Sequence, residues 1–438
     1  MIKKMCNTKI DIIKMILIIL VLFMPTHRML FDAVLPWKYD NLWRDMLLIL
    51  GIVIVLAINK GIYLGRHGIN IILMWIVCGI YLFFSDRFVL AANLARTYLI
   101  PTLIYFIVIN IRKDEKFIGI LEKIFVYTAV ILAIFGMVQA FILGEGFLIA
   151  LGYEANGEYL ASNSFYISHF FGRQRVTSTF AAPNICGLYF GMVIIVLIYR
   201  IKNYKYGVVL LGIMLFGLAT TFSRSAMLGT AFALLVVFFM RNISKIILKR
   251  STTIKLVIIV SLAVVTFFGI NYMLDGLITD MLKSSVMSVV KSTDPSANKH
   301  MEDLVVPIKT IIQNPLGLGF GNNGPMVLEY YKDANLVESS IYLLMYDFGI
   351  IGALIFLLPY VRSIFRFLIS MYRKFTQKFD NVIADKQREY EKIPAGLAIL
   401  LMVVSLLLPS LQSFEILFVF YLFLAISEIR ETIDSERR

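Results

Sequence analysis

The chain has 438 residues, of which 59% are hydrophobic and only 16% charged, with a mean hydropathy of +0.81. A soluble domain is roughly 45–50% apolar and about 25% charged, so the composition excludes an ordinary water-soluble fold and points to an all-α polytopic membrane protein. The formal net charge of +13 would suggest nucleic acid in a soluble chain. Here the positive-inside rule accounts for it, and no nucleic-acid partner is expected.

A basic stretch and an apolar core open the chain. No small-residue cleavage site follows, so it reads as an uncleaved first helix. Further apolar runs lie at about 45–59, 69–84, 88–110, 117–143, 184–200, 206–222, 225–240, 254–273, 340–361, 394–409 and 411–427. With the first run at 10–25 that makes about twelve transmembrane helices, each needing about 20 residues to span. Most of the 42 Lys and Arg lie in one alternating set of short loops that includes both ends of the chain. Both termini are therefore expected to be cytoplasmic. Four regions follow: 1–116 with the first four helices, a motif-bearing core over 117–361, a cytoplasmic amphipathic segment over 362–393, and the last two helices with the tail over 394–438. In 362–393, Ile364, Phe367, Leu368, Met371, Phe375 and Phe379 recur at helical spacing between basic residues, the pattern of a helix lying on an anionic leaflet.

Two long segments, about 144–183 and 274–339, fall on the opposite, extracytoplasmic side, and loops of that length tend to be functional. The first ends in "GRQRVTSTFAAPN". Arg173 and Arg175 stand two residues apart, where their planar forks can converge on one anion such as phosphate. Binding lipid headgroups is the competing role. Arg224 sits in "TTFSRSAMLG", a very short hairpin between two apolar runs. With Ser223 and Ser225 it opens a helix, and a helix start carrying an arginine suits an anion. Snorkelling to the interface is the plainer alternative. The second long segment holds His300, Glu302, Asp303 and Glu338, together with a Gly319-x-Gly321-x-x-Gly324 match. No βαβ unit surrounds those glycines, so close backbone packing explains them better than a dinucleotide. His300 and Glu338 are the candidate bases, although Glu338 could instead cap the next helix. Asp347 lies within an apolar run, where an acid is by default functional or internally paired; Arg96, Lys123 and the outer arginines are its candidate partners. Cys6, Cys78 and Cys186 form no metal-ligand or disulfide pattern, so no metal is expected.

Three blocks in this order resemble the bacterial O-antigen polymerase and O-antigen ligase superfamily: "GRQRVTSTFAAPNICGLYF", "TTFSRSAMLG", and "NKHMEDLVVPIKTIIQNPLGLGFGNNG" followed by "ESSIYLLMYDFGIIG". The resemblance covers most of 117–361. It implies a C-type glycosyltransferase-like bundle in the bacterial plasma (inner) membrane, working at its outer face without a cofactor. Its partners would be an undecaprenyl diphosphate-linked glycan donor and acceptor, membrane lipids, and a chain-length regulator protein. Arg224 would bind the diphosphate, with Arg173 or Arg175 as a second arginine, and Arg224, Glu338 and His300 would be the catalytic group. The ligases usually carry a histidine where this chain has Glu338-Ser339, so the pattern is more similar to that of the polymerases. A ligase and a polysaccharide flippase are the alternatives.

Overall fold

The computed structural model describes residues 2–26, 42–59, 61–111, 114–150, 155–156, 159–160, 166–167, 173–248, 307–328, 330–332, 334–335, 337, 339–376 and 381–436. Within these residues the protein is a helical bundle. In chain order come α1 (Ile2–Phe23), α2 (Leu42–Asn59), α3 (Gly68–Phe83), α4 (Phe88–Leu99), α5 (Leu103–Asn110), α6 (Glu115–Val138) and the short α7 (Glu145–Ala150). Four two-residue strands follow, β1 (Ala155–Asn156), β2 (Tyr159–Leu160), β3 (Tyr166–Ile167) and β4 (Arg173–Gln174), paired antiparallel as β1–β2 and β3–β4. Then come α8 (Pro183–Arg200), α9 (Gly207–Thr220), α10 (Arg224–Leu248), α11 (Pro325–Leu328), α12 (Ser340–Thr376), α13 (Asn381–Ser405) and α14 (Phe414–Glu436). Every apolar run read from the sequence overlaps one of these helices, except 254–273, which lies outside the described residues.

Five helical segments are long and apolar enough to cross a membrane: Leu42–Asn59, Phe88–Asn110, Glu115–Leu143, Pro183–Asn203 and Ser340–Tyr372. Gly68–Phe83, Gly207–Thr220 and Arg224–Met240 are apolar but shorter. Leu, Ile, Val and Phe at 3.6-residue spacing supply the faces that pack. α8 and α14 contribute almost continuous buried runs, from Cys186 to Leu197 and from Ile416 to Ile426. These two helices are hydrophobic all round because the bundle surrounds them.

The helices alternate in direction, so the bundle has two polar ends. One end, where α14 stops, carries ion pairs: Lys14 to Asp114 at 2.7 Å, a two-pronged Arg430 to Glu122 contact at 2.7 and 2.6 Å, and Arg366 to Glu391 at 2.8 Å. The other end carries the Arg224 hairpin, the start of α8 and the approach to α12.

The segment 144–183 turns back into the bundle over part of its length. Val176, Thr177, Ser178, Thr179 and Phe180 are all buried, because their hydroxyls and backbone groups find partners inside the bundle. The region boundary at 361/362 falls within one helix, since α12 runs on to Thr376. Phe367 is fully buried and Arg366 binds Glu391 of α13. Part of the stripe expected to rest on a leaflet is therefore spent on packing.

α12 kinks at Gly349, whose φ is +67°. Residues 315–318 wedge into the kink: Pro315 O accepts from Ile350 N at 3.0 Å, and Leu318 N donates to Tyr346 O at 2.6 Å. A Cβ on Gly349 would stand 2.5 Å from Pro315 O, so only glycine fits there. At Gly321 a Cβ would meet Ala91 N at 3.0 Å. The glycine run thus lets the chain lie directly against α4.

Candidate functional site

The site is built on a buried returning segment. Gln139 lies in a π-turn over Gln139–Leu143 that ends α6, a local widening of a helix often seen at functional sites. Its amide donates to Ser178 O at 3.2 Å, and Thr177 Oγ1 donates to Gln139 Oε1 at 3.4 Å. Ser178 Oγ donates to Leu132 O at 2.8 Å, and Thr179 Oγ1 donates to Pro25 O just beyond α1. Gly136 makes this approach possible, since a Cβ there would meet Val176 Cγ1 at 2.6 Å. Val176 N donates to Thr220 O at 3.1 Å, which ties the segment to the end of α9.

That tie sets Arg175 against the hairpin. Arg175 Nε donates to Thr221 O at 2.8 Å, and Nη2 donates to Asn184 Oδ1 at 2.7 Å. Thr221 belongs to the hairpin and Asn184 to the first turn of α8, so one guanidinium bridges two helix ends. Burial, with the charge of Arg224 second, pushes Arg175 down to about 10. Arg224 is exposed and opens α10. Ser223 precedes it, accepts Met227 N on its carbonyl at 3.0 Å, and stands 3.4 Å, Oγ to Oγ, from Ser225. Phe222 has φ +49°, a left-handed conformation that a bulky residue adopts at a cost.

Arg173 lies in β4, its Cα partnered with that of Ile167, two positions before Arg175; its side chain lies outside the described atoms. His300 and Glu338 lie outside the described residues, as do Glu302 and Asp303. Of the expected set, Arg175 is bonded to Thr221 of the hairpin, three residues before Arg224. Asp347 is fully buried, but its partner is none of the cations anticipated for it. Asn323 Nδ2 donates to Asp347 Oδ1 at 2.9 Å, and Asn335 Nδ2 donates to Asn323 Oδ1 at 2.9 Å. Arg96 instead contacts Asp45. Among the described residues no group of His, Cys, Asp or Glu stands in a metal-binding array.

Residues that sequence reasoning missed include Asn184 and Thr221, which aim Arg175. Asn184 right after Pro183 was visible as a helix start, but nothing local tied it to an arginine nine residues earlier. Helix starts and arginine guanidiniums are both groups that suit an anion with several oxygens.

Residues 209–357 match the family model described as O-antigen ligase. That stretch is similar to the O-antigen polymerase and ligase superfamily. Members of that superfamily are glycosyltransferase-like membrane enzymes that act on lipid-linked glycans. The matched stretch contains Arg224, Asp347, His300 and Glu338, and the superfamily's mixture of polymerases and ligases leaves both activities open. No curated protein matches the chain.

Proposed function

We propose that the protein polymerises undecaprenyl diphosphate-linked oligosaccharide repeat units in surface polysaccharide synthesis, at the outer face of the bacterial plasma membrane. One observation carries the reading: Arg175 is fixed by Thr221 O, in the hairpin that leads into Arg224, and by Asn184 Oδ1, in the first turn of α8. Guanidiniums set at neighbouring helix starts suit an anion with several oxygens. A diphosphate fits, with Arg173 as a third contact.

The reaction needs no covalent intermediate. An acceptor hydroxyl oxygen attacks the anomeric carbon of the donor, and the bond from that carbon to the diphosphate oxygen breaks. The diphosphate leaves with the electron pair, and the hydroxyl proton passes to a base, Glu338 or His300 in this reading. Arginines aimed at the leaving oxygens stabilise charge as it develops, a contribution of about 10²–10³ in rate for one well-placed donor. The base adds about 10²–10⁴. The chemistry calls for no cofactor. About twelve spans in a C-type glycosyltransferase-like bundle, cytoplasmic termini and a chain-length regulator as partner belong to the same reading.

The family description favours a second reading, transfer of finished polymer to an acceptor. Carrier-linked glycans from a strain lacking the protein separate the two. Single repeat units on the carrier, extended again by the wild-type chain but not by Arg224→Ala at equal protein level, are expected. Long polymer left on the carrier would overturn the polymerase reading in favour of the ligase.

A further inference from the structure

The approach to α12 is fastened on both sides of position 338. On the upstream side a chain of side-chain amides runs out from a buried acid. Asn323 Nδ2 donates to Asp347 Oδ1 at 2.9 Å and to Gly319 O at 3.0 Å. Asn323 Oδ1 accepts from Asn335 Nδ2 at 2.9 Å. Both N–H groups and the oxygen of the Asn323 amide are therefore in use. The backbone adds a second tie, since Gly324 N donates to Asn335 O at 2.8 Å. Val337 follows, buried in a small cluster with Ile311, Leu343 and Tyr346.

On the downstream side two serines do the fastening. Ser339 Oγ donates to Ser405 O at 3.1 Å and accepts from Tyr342 N at 3.4 Å, the arrangement of a helix N-cap. Ser340 Oγ donates to Leu408 O at 2.8 Å and accepts from Leu411 N at 3.0 Å. Ser339 thus fills the capping role that was the alternative for Glu338. The tie to Ser405 also sets this junction beside the arginine hairpin. α10, which Arg224 opens, lies so close to α13 that a Cβ on Gly229 would meet Val404 Cγ2 at 2.9 Å. The first two turns of α10 and the start of α12 therefore meet α13 at consecutive residues, Val404 and Ser405.

An acid inside a membrane helix is expensive, and helices that only had to pack would use an apolar side chain there. Asp347 spends its hydrogen bond on a loop amide and, through that amide, on Asn335. Asn335 stands three residues before Glu338, and three residues span at most about 10 Å. Glu338 itself lies outside the described residues, but the chain on either side of it is held by separate partners.

We infer that Asp347 and Asn323 are positioning residues, which act through Asn335 to aim the carboxylate of Glu338 at the acceptor hydroxyl. This rests on the reading of Glu338 as the base of the polymerase reaction.

The test is a double-mutant cycle on the rate. It uses the full-length protein in nanodiscs, with the carrier-linked repeat unit extracted from the strain lacking the protein as donor and acceptor, and with folded protein matched between variants. Asn323→Ala is expected to lower kcat about 10- to 100-fold and to leave KM within about twofold. Added to Glu338→Gln, it should cost nothing beyond Glu338→Gln alone, because a base that is absent cannot be misplaced. Asp347→Leu should behave as Asn323→Ala does. Asp347→Asn, whose amide oxygen still accepts from Asn323, should recover most of the rate that Asp347→Leu loses. Losses that multiply in the double variant, or a wild-type rate in Asn323→Ala and Asp347→Leu, would make the chain of amides a device for holding the loop and overturn the inference. If Asn323→Ala does not survive extraction as a monodisperse protein, Asn335→Ala carries the same cycle. A wild-type rate in Glu338→Gln would overturn the inference by removing its base, while repeat units still joined to one another would leave the polymerase reading standing. A wild-type protein that joins no repeat units but passes finished polymer to an acceptor would sink the polymerase reading, and the same cycle run on that transfer would still decide the positioning role.

Discussion

The two ends of the bundle handle buried charge in opposite ways. At the end where α14 stops, acids and bases satisfy one another: Arg430 grips both oxygens of Glu122, Arg366 reaches Glu391 and Glu431, and Tyr105 donates to Glu428 at 2.6 Å. At the opposite end Arg175 is anchored by neutral oxygens, Arg224 is presented at a helix start, and buried Asp45 is ion-paired to Arg96 at 3.1 Å. Self-satisfied pairs hold helices together. A guanidinium anchored by neutral oxygens keeps its charge, the property the proposed diphosphate contact uses.

The contrast can be broken most sharply at Glu122. Glu122→Ala leaves Arg430 buried without its partner and is expected to cost about 3–5 kcal/mol of stability, read by thermal unfolding in detergent. The specific activity of the protein that remains folded should stay at the wild-type level. Arg224→Ala should behave in the reverse sense. Because Arg224 is exposed, stability should hold, while the rate of polymer formation drops by about 10²–10³, or roughly 2.7–4 kcal/mol in the barrier. Arg224→Lys should recover only part, since lysine keeps the charge but loses the fork.

A third measurement uses pH. His67 sits in the turn before α3, 4% exposed, and burial first, then Arg362, Arg366 and Arg66, push it down to about 3. Glu391 and Glu428 also line its pocket. The unfolded chain takes up this proton near pH 6.5 and the folded chain does not. The contribution is therefore fully present above pH 6.5 and is lost as pH falls from 6.5 toward 3, by up to about 1.4 kcal/mol per pH unit. His67→Gln should flatten that part of the stability profile; an unchanged slope would show that other groups set it. The smallest expected effect is at Asn184. Asn184→Ala removes one anchor of Arg175 and should weaken binding of the bare diphosphate carrier by about 0.5–1.5 kcal/mol, leaving thermal stability nearly unchanged.

Local chemistry made the helices legible. Apolar runs bounded by charges, Pro183 at a helix start and Asp114 capping α6 all lie within a few residues of what they govern. Arg224 was legible for the same reason, as one charge in an apolar run beside a break. The return of residues 176–180 into the bundle was not, because Thr, Ser and Thr read as an exposed loop until Gln139, Leu132 and Pro25 supply their partners. The partner of Asp347 was not legible either: in sequence a carboxylate in a membrane helix asks for a cation, and Asn323 serves only because the loop folds beside it.

The sequence by itself determined a helical membrane protein, with a stretch similar to the O-antigen polymerase and ligase superfamily, since composition decides the first and short blocks in order carry the second. Which charges meet was decided only by the tertiary structure. Arg44, Arg96 and Glu415 are separated by dozens to hundreds of positions, and nothing in their local patterns encodes the convergence. Packing three helices against one another brings them to a single end of the bundle, and packing also decides that Asp45 is buried there beside Arg96.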